Sequence, residues 1–225
     1  MARFFNTTGP CNPAWHYMLP PEARLPLVRP LIAQQLYFMV HAARQSGKTT
    51  SFLAFARALT AEGRYAALHA SCETGQPSAG DVDGAVTAVI RSIEASVREQ
   101  LSLELRPPEV DLQAMEPESR LAFFLELWCR SCPRPVVLFL DEIDALLDTS
   151  LNSVLRQLRR GFPSRPLAFP SSVALIGLRD VRDYKVRSQV LREESTLGTA
   201  SPFNIKADSL TLRNFTAEET AELLL

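Results

Sequence analysis

Long apolar runs are missing from this chain: none of its 225 residues lies in the ~20-residue uninterrupted apolar stretch that a membrane-spanning helix needs. The start, Met1-Ala2-Arg3-Phe4-Phe5-Asn6, also lacks the apolar region of a secretory signal, so a cytoplasmic location is the default expectation. Neither sign of charge is in excess. A formal net charge of −1 gives no general attraction to nucleic acid or anionic lipid, and nucleic-acid binding would have to come from a local patch or from chain beyond this sequence. Histidine is scarce, and His16, His41 and His69 are scattered, with no pair that could complete a metal site. Of the four cysteines, only Cys129 and Cys132 have a metal-like or redox-like spacing. A closed zinc site would need two further ligands, and a redox dithiol gains from a helix N-terminus, whereas this pair follows the helical pattern Leu121 to Trp128. Unpaired, partly buried thiols are expected. What is present, 46% hydrophobic and 22% charged residues, suffices for one large α/β domain.

The most informative stretch is His41-Ala42-Ala43-Arg44-Gln45-Ser46-Gly47-Lys48-Thr49-Thr50, which follows the apolar run Leu36 to Val40 and opens a helical pattern. Strand, loop and helix in that order make a phosphate-binding turn, whose backbone N–H groups point at phosphate oxygens. Residues 42–50 are the candidate phosphate-binding residues. Lys48 would reach the terminal phosphates and the Thr49 hydroxyl would hold Mg²⁺. Ala42 stands where the pattern usually has its first glycine, which keeps the turn small but gives up backbone freedom.

A second stretch, Pro135-Val136-Val137-Leu138-Phe139-Leu140-Asp141-Glu142-Ile143-Asp144, reads as a buried strand ending on paired carboxylates. In a nucleotide site Asp141 would bind Mg²⁺ through its water shell and Glu142 would act as general base on the attacking water. The competing reading is a strand followed by a helix whose first turn carries acids to suit its dipole. That reading loses weight with a phosphate loop about ninety residues upstream.

Together, HAARQSGKTT and VVLFLDEID resemble the P-loop ATPases of the AAA+ and STAND type, in which a glutamate follows the metal-binding aspartate. More narrowly, the chain resembles bacterial AAA-like ATP-binding proteins related to archaeal STAND ATPases and origin-recognition-complex-type ATPases. That resemblance rests on NTTGPCNPAWHYMLPPEARLP, RQLRRGFPSRP, VALIGLRDVRDYK and PFNIKADSLTLRNFTAEE, and so spans nearly the whole chain. It implies a sensor role for Arg179, at the end of the strand Ser172 to Leu178, where a guanidinium can register the terminal phosphate. From the residues alone, an ion pair of Arg179 with Asp180 or Asp183 is an equal alternative. The resemblance also implies that the strand ending at Arg179 lies between the Asp141 strand and the phosphate-loop strand. It implies too that the N-terminal arm passes near the nucleotide base. Arg182, Arg187 and Arg192 fall where relatives supply an arginine in trans, and spacing does not choose among them.

The chain divides into a proline-rich arm (1–35), a P-loop ATPase core (36–210) and the start of a C-terminal helical region (211–225). The arm reads as semi-rigid, with room for a short helix in Glu22 to Gln35 interrupted by Pro26 and Pro30. Its rings Trp15, His16 and Tyr17 suit base contact or plain surface packing. Helices are expected over Ser51 to Ala61, from Val82 to Leu101, over Ser119 to Trp128 and over Ser150 to Gly161. Arg156, Arg159 and Arg160 on the last of these read first as a solvated face. Further strands are expected over Arg64 to Ala70 and at Pro202 to Ile205, and Thr216-Ala217-Glu218-Glu219 is a capping-box signature. The expected architecture is a three-layer α/β P-loop domain with a mostly parallel five-stranded sheet and a missing C-terminal lid. The apolar end Leu223-Leu224-Leu225 suits self-association or a protein partner. Two function classes follow: a Mg²⁺-dependent ATPase, or a nucleotide-gated switch that binds ATP or ADP with little turnover.

Overall fold

Alternation along the strands sorts the apolar residues into two cores, one on each face of a sheet. Tyr37, Met39, Leu68, Leu138, Leu140 and Leu175 face one core, while Phe38, Val40, Ala67, Val137, Phe139 and Ile176 face the other. The computed structural model describes residues 3–78, 81–178 and 205–224. Its five strands are β1 (Tyr37–His41), β2 (Ala66–Ser71), β3 (Val136–Asp141), β4 (Ser172–Gly177) and β5 (Lys206–Thr211). They lie in the order β2-β3-β4-β1-β5, and every pairing is parallel. The strand that precedes Arg179 therefore sits between β3 and β1, as the resemblance implies. Arg179 itself, with Arg182, Arg187 and Arg192, lies outside the described residues.

The helices complete three layers. On one face α4 (Val82–Gln100), α5 (Pro117–Ser131) and α6 (Asp148–Gly161) cover the sheet, and α4 buries the stripe Val86, Val89, Ile90, Ile93 and Val97. On the other, α2 (Val28–Ala33) and α3 (Lys48–Ala61) bury Val28, Ile32, Phe52, Phe55 and Leu59. The arm is more helical than its prolines suggest, because α1 (Pro21–Arg24) precedes α2. Pro21 takes a first-turn position, where a missing N–H costs nothing, and Pro26 falls between the two helices. The fifth strand begins one residue after Ile205; Pro202 to Asn204 lie outside the described residues. At the C-terminal side, α7 (Ala217–Leu224) opens on the expected capping box: Thr216 N–H donates to Glu219 Oε2 at 2.9 Å and Glu219 N–H to Thr216 Oγ1 at 3.1 Å. All four cysteines are free, and burial pushes the Cys129 and Cys132 thiols up, as suits unreactive packing residues. Arg156, Arg159 and Arg160 are exposed.

At the β2 edge of the sheet the outward backbone groups are met by side chains. The Thr60 hydroxyl bonds both Ala67 N–H and Ala67 C=O, at 3.0 and 3.2 Å. Gln100 accepts from His69 N–H at 3.2 Å and donates to His69 C=O at 2.8 Å. Ser92 donates to Ser71 C=O at 2.6 Å. Among the described residues no helix is long and apolar enough to cross a membrane.

Candidate functional site

Period two decides where the acids of β3 point. Asp141 follows Val137 and Phe139 and so emerges on the face covered by α3, whose first turn carries Thr49. Thr49 Oγ1 donates to Asp141 Oδ2 at 2.7 Å, joining the two motifs across 92 residues of chain. Asp141 is 2% exposed and its other oxygen accepts Glu142 N–H at 2.9 Å. Glu142, with φ of 56°, is in the left-handed region, so the chain turns sharply and directs this side chain away from β3 toward β2. There its Oε2 accepts the Ser71 hydroxyl at 2.5 Å.

Between β1 and α3 the loop follows its glycine. Gly47 has φ of 88°, a conformation that a side chain resists, and it starts α3 directly at Lys48, three residues earlier than the apolar periodicity suggests. Ala42 does not need a glycine's freedom, since among the loop residues only Gln45 and Gly47 have positive φ. Lys48 folds across the loop and its Nζ donates to the carbonyls of Ala42 (2.9 Å) and Ala43 (3.1 Å). The buried Ser46 donates its hydroxyl to Ala43 C=O at 2.8 Å, tightening the same turn. Ala43, Arg44 and Gln45 are exposed. The Thr50 hydroxyl is engaged elsewhere: it accepts Cys11 N–H at 3.0 Å and ties the arm to α3.

Loop, acids and arm surround a cleft of about 1130 Å³, large enough for a nucleotide. Residues 44–51, Asp141, Glu142 and Asp144 form its polar side, and Phe5, Tyr17, Leu19 and Phe215 contribute apolar lining. Of the three rings noted in the arm, Tyr17 lines this cleft. His16 stacks edge-on against Phe4, and Trp15 is largely exposed.

Several site residues carry no motif. His69 Nε2 lies 3.1 Å from Asp141 Oδ2, although β2 reads as an ordinary buried strand; only register brings them together. Ser71 is found the same way, opposite Asp141 in the β2/β3 ladder. Asp144 accepts Leu178 N–H at 3.2 Å and so ties the exit of β3 to the end of β4.

The electrostatics differ between the neighbours. Burial works to raise the Asp141 carboxyl, but hydrogen bonds from His69, Thr49 and the Glu142 N–H outweigh it and hold it below the ordinary aspartate range. Its ionised form is thus favoured by folding, a contribution that is complete above the unfolded value and lost as pH falls through the depressed folded one. Asp141→Asn is expected to flatten the acid limb of a stability-against-pH curve below about pH 4, measured by chemical denaturation; an unchanged limb would contradict this. Glu142 is shifted the other way, raised by burial and by Glu73, Asp141 and Asp144, with the Ser71 bond opposing. Burial lowers the Lys48 amine, against the pull of Asp141, Asp144 and Glu142.

No protein-family model and no curated protein matches the sequence. Solved structures do match the fold. The Walker-type ATPase PABY2304 of Pyrococcus abyssi superposes over 97% of this chain and 60% of its own, with a TM-score of 0.65 at 11% identity. This is a P-loop ATPase fold. Cdc6p of Pyrobaculum aerophilum shares the P-loop fold over 95% of this chain and 51% of its own (TM-score 0.56, 15% identity). The ORC1 protein of Aeropyrum pernix, solved in complex with DNA, shares it over 92% and 49% (0.53, 17%). The chain thus spans about half to three-fifths of the length of these structures. In this P-loop fold the candidate residues cluster at the carboxyl ends of β1 and β3, where ligands bind in open parallel sheets.

Proposed function

We propose that this chain is the nucleotide-binding domain of a Mg²⁺-dependent ATPase of the AAA+/STAND kind, coupling nucleotide state to conformational change. The observation that carries the reading is the 2.7 Å bond between Thr49 and Asp141, which brings the end of the phosphate loop and the acidic strand to one point. A hydroxyl beside a carboxylate, next to backbone N–H groups, is the hard-oxygen donor set that suits Mg²⁺. Thr49 and Asp141 would hold the ion, which neutralises charge on the phosphoryl oxygens when bound. Residues 42–50 would wrap the phosphates, Thr50 through its backbone since its hydroxyl serves the arm. Lys48 would exchange its carbonyl partners for phosphate oxygens, and Glu142 would take the proton of the attacking water. Arg179, two residues after β4 in the sequence, remains the proposed sensor. The base would lie toward Tyr17 and Phe215, in the apolar part of the cleft.

One observation favours the slower reading, a nucleotide-gated switch. The Glu142 carboxylate is engaged by Ser71 at 2.5 Å, and a base so held does not reach water until that bond opens. Calorimetric titration with MgATP and MgADP, followed by phosphate release, tests both. Binding with turnover supports the ATPase, and binding without release supports the switch. No binding by the folded chain would end both readings.

A further inference from the structure

Arg24, the last residue of α1, is a charge buried without a carboxylate in hydrogen-bond contact. It is 9% exposed, Nη1 donates to Ser46 C=O at 2.8 Å, and Nη2 donates to Arg213 C=O at 2.5 Å, in the segment between β5 and α7. The guanidinium lies 4.0 Å over the ring of Phe215 in that same segment. Its Nε is buried with no hydrogen-bond partner among the described residues. A buried cation served by neutral carbonyls, with one donor unmade, is an expensive way to join three segments. An apolar side chain of similar volume would serve packing alone better.

The geometry gives the charge a use. The Ser46 carbonyl belongs to the peptide whose N–H is that of Gly47, so a cation on its oxygen polarises the dipole of that peptide and fixes its plane. The contact is close: a Cβ at Gly47 would lie 3.4 Å from Nη1. Because the guanidinium is planar and rigid, the carbonyl of Ser46 cannot move without disturbing the carbonyl of Arg213 and the Phe215 ring.

We infer that Arg24 is a positioning residue for the phosphate loop and the link that couples loop occupancy by a nucleoside di- or triphosphate to the β5–α7 segment. The inference rests on the nucleotide reading above. By reciprocity, whatever engages β5–α7 changes nucleotide affinity by the same factor. Amide hydrogen exchange on the full chain, with and without saturating MgADP, tests it alongside calorimetry. In the unmodified chain, protection is expected at both 42–50 and 206–224. In Arg24→Lys, which keeps the charge but loses the fork, affinity is expected to fall about tenfold and protection to be confined to 42–50. Protection confined to the loop in the unmodified chain overturns the inference, as does an Arg24→Lys chain with unchanged affinity and pattern. Should that variant melt before the measurement, Arg24→Met, which keeps the volume and removes the fork, is measured in its place, and protection of 206–224 that survives it with unchanged affinity has the same force. An unmodified chain that binds no MgADP fails the nucleotide reading itself, whereas binding that is blind to Arg24 fails this inference alone.

Discussion

Lys48→Ala is expected to weaken binding of MgATP and MgADP by roughly 100-fold or more, on the basis that two charge-assisted hydrogen bonds contribute about 1.5–3 kcal/mol each. The amine is half-buried, lies between the carbonyls of Ala42 and Ala43, and has the carboxylates of Asp141, Asp144 and Glu142 near it, so it is placed to meet an incoming phosphate without extending into bulk water. Composition sharpens the case. Of 24 basic residues only three are lysine, so the chain ordinarily uses arginine, yet this loop carries an ammonium. A compact head fits between two loop carbonyls; a planar fork does not, and Lys48→Arg is expected to fail with Lys48→Ala. Calorimetry on both variants checks this. Affinity within about threefold of the unmodified chain would remove Lys48 from the site.

Glu142→Gln is expected to lower phosphate release by about 10²–10⁴-fold while leaving nucleotide affinity nearly unchanged, the pattern of a lost general base. A second readout separates this from general damage. The Glu142 carboxyl is raised by burial and by neighbouring acids, so its protonated form is the one that folding favours. The stabilisation that accompanies protonation is present below the unfolded value and disappears as pH rises through the raised folded one; at neutral pH the ionised group is a burden on the fold. The glutamine variant should therefore melt higher than the unmodified chain at pH 7, and the gap should close as pH falls toward the carboxylate range. A variant that loses turnover and also melts lower would point to disruption of the left-handed turn at residue 142 rather than to lost base chemistry.

Both motifs are legible in the sequence because central parallel strands are nearly continuous apolar runs, and the residues at their carboxyl ends are chemically conspicuous. Gly47, Lys48, Asp141 and Glu142 announce themselves in this way. β5 does not, since Lys206, Ala207 and Asp208 lie on a partly exposed edge strand with no buried run to mark it. His69, Ser71 and Gln100 are equally silent, for what matters about them is register against β3 or reach across the edge of β2, and neither leaves a period in the sequence. Arg24 is the hardest to foresee. Its partners are 22 and 189 residues away and are backbone carbonyls, which every residue possesses. The short helix expected within Glu22 to Gln35 is there as two pieces, parted at Pro26 as read, but proline, taken as a breaker, is an initiator at Pro21 and is accommodated in the first turn of α2 at Pro30.

The side chains of Thr60, Ser92 and Gln100 have a consequence for how this domain meets its neighbours. A bare sheet margin is a template on which any extended peptide can crystallise, and many assemblies grow by that route. On the β2 side the template is already filled: a threonine, a glutamine amide and a serine stand in for the missing strand at Ala67, His69 and Ser71. An approaching strand would have to displace these side chains to pair along Ala67 and His69. A molecule that meets this side of the domain is therefore expected to be selected by side chains, in shape and charge, rather than by a generic backbone pattern.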